Sequence, residues 1–366
     1  MPHYAPPRLP LDIELETRPV LKKLANARSA LAELKGVATL VPNENILINT
    51  LSLQEAKDSS AIENIVTTHD ELFKSDALAN QFVTSAAKEV HNYARALREG
   101  FLKVRQSGLI ANRDILDIQA TLEENRAGFR TLPGTELKND LTGDTVFVPP
   151  QNHADIVAAM GNLEIFINDR AISDLDPLVK MAVIHHQFET IHPFYDGNGR
   201  TGRILNILYL VQQGLLATPV LYLSRYINQN KADYYRLLQA VRDAGAWEDW
   251  LMFMLDGVEQ TARQTTRLVH AIRRIMQSHK ARMREALPRI YSQDLLNNTF
   301  SHPYSKIGFV MNDLKVSRLT ATRYLDELDR IGLMRKIKIG KESYYLNVEL
   351  VDLLSNARRL WDTDAS

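Results

Sequence analysis

The chain has 366 residues, with 44 lysines and arginines against 44 aspartates and glutamates, so any attraction to nucleic acid or membrane must come from a local patch. It contains no cysteine, which excludes disulfide staples, thiolate metal sites and a cysteine nucleophile, and fits a reducing cytoplasm. The length exceeds the roughly 250 residues that one core fills, so two or three domains are expected, and the ordinary apolar and charged fractions exclude a mostly disordered or fibrous chain.

Residues 1–10 are rich in proline and lack the apolar stretch of a secretory signal. The densest apolar run, residues 204–216, is broken by Asn206, Gln212 and Gln213, so no membrane span is expected. Apolar residues at three and four spacing predict helices over 19–34 (Leu24, Ala27, Leu31, Leu34) and 45–73 (Ile62, Ile65, Val66), then over 86–104 and 114–122. Glycine and proline punctuate residues 128–150. Within them 135–150 reads as a short hairpin, with Leu141-Thr142-Gly143-Asp144 as turn chemistry and Thr145, Val146, Phe147 and Val148 as strand residues stopped by Pro149-Pro150. Helices follow over 154–168, 176–190, 201–213, 231–244 and 247–254. A long helix over 256–286 carries one apolar stripe (Leu268, Ala271, Ile272, Ile275, Met276) and many arginines, as expected of a link between domains. The remainder reads helix, helix, helix, hairpin: 291–297, 304–314, 317–331, then 333–339 and 342–346 around Gly340-Lys341. That order suggests a winged helix, with Ala321, Leu325, Leu328 and Ile331 inward and Arg318, Thr322 and Arg323 free for a groove.

The chemistry concentrates in HPFYDGNGRTGR, residues 192–203. Gly197, Gly199 and Gly202 match the dinucleotide spacing G-x-G-x-x-G. Pro193 argues against a preceding central strand, however, and no Asp or Glu occurs between Arg203 and Ala232 to hold a ribose. A calcium loop fails because Arg200 stands where an oxygen ligand is needed, and a zinc site fails because His185, His186 and His192 lack the spacing and companions of one. What the stretch supports is anion binding at a helix start. Gly197 and Gly199 admit close approach to backbone amides, while Arg200 and Arg203, three apart, are expected to reach the same anion. Asp196 makes sense beside a phosphate if magnesium bridges them. His192, with its near-neutral pKa, is the natural base for a hydroxyl.

His185-x-x-Phe188-Glu189-x-Ile191 followed by HPFYDGNGRTGR resembles the signature of the Fic family, proteins that usually transfer AMP from ATP to a hydroxyl on a target protein. Gly128-Phe129-Arg130, the Phe147-Val148-Pro149-Pro150 end of the hairpin, Leu221-Tyr222-Leu223-Ser224 and Tyr234-Tyr235 look like further landmarks, so the resemblance covers roughly residues 1–255. It implies a mainly α protein: a Fic-type helical bundle with a small β-hairpin flap, followed by a winged-helix domain. The expected divisions are an N-terminal helical region over 1–110, a catalytic core over 111–255, the linking helix over 256–286 and a winged helix-turn-helix domain over 287–366.

The resemblance also implies roles. His192 would be catalytic and Asp196 would hold Mg2+ or Mn2+. Gly197, Asn198, Gly199, Arg200, Thr201, Gly202, Arg203 and Tyr234 would bind ATP, with Arg203 on the γ-phosphate. Thr145, Val146, Phe147 and Val148 would pair with the main chain of a target segment. Ser59-x-x-x-Glu63-Asn64 resembles the inhibitory motif of family members that carry their own regulatory helix, expected here over about 50–73, in which Glu63 competes for Arg203. The implied protein is a cytoplasmic adenylyltransferase of the kind found in full-length bacterial Fic proteins. It acts on a Tyr, Thr or Ser hydroxyl of a target or of itself, with a homodimer and DNA as further possible partners. Two alternatives stand beside it: a DNA-binding regulator whose Fic-like domain senses nucleotide, and an enzyme that removes AMP.

Overall fold

The computed structural model describes residues 4–69, 71, 72, 75, 84–138, 142–339 and 342–357. Phe73 of the expected regulatory helix, Leu141 of the hairpin turn and Gly340-Lys341 of the wing lie outside them. The chain begins with α1 (Arg18–Ala38), α2 (Glu44–Ile62), α3 (Ser85–Ser107) and α4 (Asn112–Glu123), then a hairpin of β1 (Leu137–Lys138) and β2 (Thr145–Phe147). Six helices follow: α5 (His153–Asn168), α6 (Pro177–Ile191), α7 (Asn198–Gln212), α8 (Leu223–Gln229), α9 (Lys231–Ala244) and α10 (Trp247–Ala286).

α6 and α7 fix the centre of the bundle. Every α6 residue from Leu178 to Ile191 is buried, and so is α7 from Thr201 to Leu210. A helix with no polar face must be covered on all sides. α6 lies against α7 and α5, and α3 against α7, α4 and α2, while α1 runs along α10. Local signals set the ends. Pro177 opens α6 beneath an Asp176 side chain that accepts from the Leu178 amide, and Gly108 and Gly245 close α3 and α9 in the left-handed conformation.

Three elements differ from the sequence expectation. The helix expected to be regulatory, α2, stops at Ile62 rather than near residue 73, because Asn64 adopts φ +62°. The Asn64 amide then donates to the Ala61 carbonyl (3.1 Å) and the Ile65 amide to Ser60 (3.0 Å), a Schellman closure that leaves Glu63 at the cap. The helices expected over 247–254 and 256–286 are one, α10, about 60 Å long at 1.5 Å per residue. It packs on α1 and α8 at one end and on the C-terminal unit at the other, so it belongs to both. Helix 201–213 begins earlier, at Asn198, which brings the glycines into its first turn.

The C-terminal unit comprises α11 (Gln293–Ser301), β3 (Tyr304–Lys306), α12 (Ile307–Leu314), α13 (Arg318–Arg330), β4 (Arg335–Ile339), β5 (Glu342–Leu346) and α14 (Val348–Ser355). Its small sheet has the antiparallel order β3-β5-β4. Residues 304–306, expected as helix, form β3 because Tyr304, Ser305 and Lys306 pair with Leu346, Tyr345 and Tyr344. Ala321, Leu325 and Leu328 of α13 face inward, whereas Leu319 is exposed. The unit also touches α2, where Asn49 donates to the Ser301 carbonyl (3.5 Å) and Gln54 to that of Leu354 (3.4 Å).

Candidate active site

The site forms where α6 ends and α7 begins. α6 cannot pass residue 192: Pro193 has no N–H to give and disfavours helical backbone before it. His192 accordingly takes φ +48°, ψ +60°, its amide still donating to Phe188 (2.9 Å). Left-handed backbone costs a non-glycine residue about 1–2 kcal/mol, and a buried arginine holds it here. Arg130 Nε donates to the His192 carbonyl at 2.8 Å, and its Nη2 reaches the Ile191 carbonyl (3.4 Å) and the Pro150 carbonyl. The His192 Nδ1 is buried without a protein partner. Burial first, and then the nearby Arg130 and Arg242 guanidinium groups, push its pKa down to about 4. The ring is therefore neutral at physiological pH, the form able to accept a proton.

The turn between the helices is stapled by Asn198, whose side chain accepts from the Phe194 amide and donates to the Phe194 carbonyl, both at 2.8 Å. Phe194 itself is buried, and its ring packs against those of Phe129 and Phe188. Gly197 sits at φ +79°, and a Cβ there would lie 2.5 Å from Glu123 Oε1. Only glycine meets both demands. Asp196 is exposed, with Oδ1 accepting from the Gly197 amide at 2.7 Å. The first-turn amides of α7 follow, at Asn198, Gly199 and Arg200, without carbonyls behind them in the helix. They form a nest where a phosphate can sit.

Over that nest lies an ion pair from opposite parts of the chain. Arg203, buried at 2% exposure, donates through Nη2 to Glu63 Oε1 at 2.7 Å, through Nε to Ser59 Oγ at 2.7 Å and through Nη2 to the Ser59 carbonyl at 3.1 Å. Burial opposes the Glu63 charge, but Arg203 outweighs it and holds the carboxyl below its ordinary value. A Cβ on Gly199 would lie 2.4 Å from Glu63 Oε1 and 2.8 Å from Arg203 Nη1. The carboxylate thus rests on the helix start itself. Asn64 accepts from Lys231 (3.1 Å), tying the end of α2 to α9.

Two sequence expectations need correction. Arg200 and Arg203 do not converge on one anion: Arg200 is buried and bonded to Glu89 (3.0 Å) and Glu123 (2.8 Å). Its neighbours on α3 and α4 take the guanidinium away from the nest, leaving it to pin α7 into the bundle. Tyr234 is no open platform for a nucleotide. It is buried with its hydroxyl 2.8 Å from His185 Nε2, while the next residue, Tyr235, is the exposed one. Thr201 and Gly202 are likewise buried, and a Cβ on Gly202 would meet Glu189 Oε1 at 2.8 Å.

Sequence reasoning missed Arg242 and Glu55. Arg242 donates to Thr190 Oγ1 (3.2 Å) and to the Glu189 carbonyl (3.3 Å), and its guanidinium lies 3.8 Å over the Phe147 ring. Glu55, two turns before Glu63 on α2, is buried and accepts from the Ser224 amide (3.2 Å) and the Tyr93 hydroxyl (3.2 Å). Burial raises it to about 7. Neither stands in a motif; a charged residue on an otherwise apolar helix face was the available signal.

In the hairpin, Leu137 pairs with Phe147 and Lys138 with Thr145. Thr145 donates to Glu136 (2.9 Å), Val146 is exposed, Phe147 is buried, and the Val148 carbonyl accepts from the Tyr4 amide (2.9 Å). In the C-terminal unit, Arg318 and Arg323 are exposed, but Thr322 turns its hydroxyl to the Arg318 carbonyl (2.8 Å) and Lys336 is paired with Asp326 (2.7 Å). No described helix is long and apolar enough to cross a membrane.

A helical bundle that sets a neutral histidine beside a glycine-framed amide nest, with an arginine at its edge, is equipped to meet a phosphorylated ligand and a proton donor together. The chain belongs to the Fic/DOC family. The Fic/DOC N-terminal model matches residues 21–102, the Fic/DOC model 110–210, and the model of the C-terminal domain of SoFic-like protein adenylyltransferases 275–350. Protein adenylyltransferase Fic from Drosophila erecta is 32% identical over 112 residues, 31% of this chain and 21% of that protein. The Drosophila ananassae protein of the same name is 31% identical over 135 residues, 36% and 26% respectively. The chain thus spans about a quarter or less of these relatives. A Fic family protein from Desulfovibrio desulfuricans shares the fold across 94% of this chain and 98% of its own, with a TM-score of 0.56 and 19% identity. For residues 134–508 of Fic-1 from C. elegans the values are 67%, 71%, 0.51 and 20%.

Proposed function

We propose that the protein transfers AMP from ATP to a Tyr, Thr or Ser hydroxyl of a protein target, releasing pyrophosphate, and that Glu63 holds the reaction off. The observation that carries this reading is the Arg203–Glu63 pair, 2.7 Å long, seated on Gly199 at the start of α7. An arginine beside an amide nest is suited to the far end of a triphosphate. While Glu63 occupies it, that phosphate has no cation to align on.

With Arg203 free, the first-turn amides and Arg203 orient the triphosphate for in-line attack. The target hydroxyl oxygen bonds to the α-phosphorus as the bond from phosphorus to the bridging oxygen breaks. Pyrophosphate leaves, and the hydroxyl proton passes to neutral His192. Arg130 and the left-handed backbone fix His192 at the end of α6, just before the turn that leads into the nest. The residues also suit a magnesium or manganese ion. Asp196 offers an exposed carboxylate next to the nest, and among the described residues no group of three or more acidic or histidine side chains forms a protein cage. One carboxylate plus substrate phosphates is the usual arrangement for magnesium, whose chemistry when bound is to neutralise phosphate charge.

In the test, the full-length protein, Glu63→Gly and His192→Ala are incubated with labelled ATP and a lysate, and modified proteins are identified by mass spectrometry. Glu63→Gly is expected to label strongly and the Glu63→Gly/His192→Ala double variant not at all. Equal labelling by the wild type and Glu63→Gly would refute the inhibitory role. Labelling by the double variant would refute the role of His192.

A further inference from the structure

Residues 4–10 form an arm held to the catalytic bundle through its main chain. Asn162 accepts from the Leu9 amide (2.8 Å) and donates to the Leu9 carbonyl (2.9 Å), and Gln187 of α6 donates to the Pro7 carbonyl (2.7 Å). Pro6, Pro7 and Pro10 stiffen it, so little chain entropy is lost in holding it extended. Its outer end pairs with the hairpin: the Tyr4 amide donates to the Val148 carbonyl at 2.9 Å, and the Tyr4 ring packs 5.6 Å from that of Phe147.

Two lines of contact run from Tyr4 to the neighbours of His192. Through side chains, Phe147 lies under Arg242, which bonds Thr190 and the Glu189 carbonyl in the last turn of α6. Through the backbone, Val148 leads to Pro150, whose carbonyl Arg130 grips together with that of His192. Tyr4 is also the only hydroxyl-bearing residue before Thr17. Burial raises its phenol above the ordinary value, against the nearby Arg242, so it stays protonated at neutral pH and needs a base to react.

We propose that this arm is a target segment docked in cis on the hairpin and that Tyr4 is a site of self-modification. The inference rests on the AMP-transfer reading above. The Tyr4 oxygen bonds to the α-phosphorus of ATP, the bond to the bridging oxygen breaks, pyrophosphate departs and the phenolic proton goes to His192. The arm covers the Val148 end of the hairpin, so an external target must displace it.

Trypsin cuts after Arg8, and the peptide of residues 1–8 has Tyr4 as its sole hydroxyl. Full-length Glu63→Gly incubated with ATP and magnesium is expected to carry an adenylyl group on this peptide, and Tyr4→Phe in the same background is expected to lose that signal while other labelled sites persist. The first-order rate constant should be unchanged by a tenfold dilution of the protein. Labelling elsewhere with none on residues 1–8 overturns the assignment of Tyr4 and leaves the AMP-transfer reading standing. A rate constant that falls in proportion to dilution overturns docking in cis. Absence of labelling on any peptide and in any lysate protein overturns both.

Discussion

Replacing Glu63 with glycine should move activity and stability in opposite directions. Arg203 is almost fully buried and loses its carboxylate partner, though it keeps both bonds to Ser59. Leaving one member of a buried pair uncompensated costs about 3–5 kcal/mol. The Glu63 side chain is about a third exposed and the remaining bonds persist, so a loss of about 1–3 kcal/mol is expected, the range for a hydrogen-bonded charge. That corresponds to a midpoint lower by a few degrees. The same change frees Arg203 for a phosphate, and a charge-assisted hydrogen bond of about 1.5–3 kcal/mol raises transfer by roughly 10- to 100-fold. Thermal melting and labelled-ATP incorporation on the same preparations read the two effects. Saturating ATP should raise the midpoint of the variant more than that of the wild type, because ligand binding stabilises the form it selects. A variant that melts earlier and transfers no faster would show that the pair is merely structural, and the argument from Arg203 would fail.

Three further outcomes follow from the same geometry. His192, pushed down to about 4 by burial, stays neutral from pH 5.5 to 7.5. The kcat/KM of Glu63→Gly should therefore change less than twofold across that window, whereas an unperturbed histidine near pH 6.5 would lose about tenfold at its acid end. Gly199→Ala puts a methyl group against the Glu63 carboxylate, whose flexible side chain can yield, and 2.8 Å from Arg203 Nη1, where it crowds the cation at the helix start. Combined with Glu63→Gly it should stay at background in the transfer assay, so full activity there would remove the helix start from the mechanism. Arg200→Met strands Glu89 and Glu123 without their cation. Because the stranded Glu89 is about a third exposed, a loss of about 1–3 kcal/mol in denaturant unfolding is expected, and unchanged stability would contradict the pinning role of Arg200.

What could be read along the chain was whatever depends on near neighbours. Pro193 after an apolar helix, glycines at 197 and 199, and Asp196 and Arg203 flanking them mark a helix end, a turn and a helix start, and these are settled by backbone sterics within a few residues. The apolar periodicity of α3, α5 and α13 was visible for the same reason. Length was harder to read: the end of α2 turned on a single left-handed Asn64, and the continuity of α10 on packing along α1 that no local pattern states.

The tertiary structure alone decided which charges meet. Arg200 and Arg203 stand three residues apart with the same functional group, yet one is drawn to Glu89 and Glu123 and the other to Glu63, 140 residues away. Tyr234 and Tyr235 are adjacent, and only the placement of α9 buries the first and exposes the second. His192 has the chemistry of a base by its identity, but burial beside Arg130 and Arg242 carries its neutral form well below the pH at which a free histidine takes up a proton. Backbone preferences act over a turn of helix, whereas desolvation and ion pairing are set by whichever elements the fold stacks around a group. The sequence could therefore nominate candidate residues for the site, whereas their charge states and partners came from the fold.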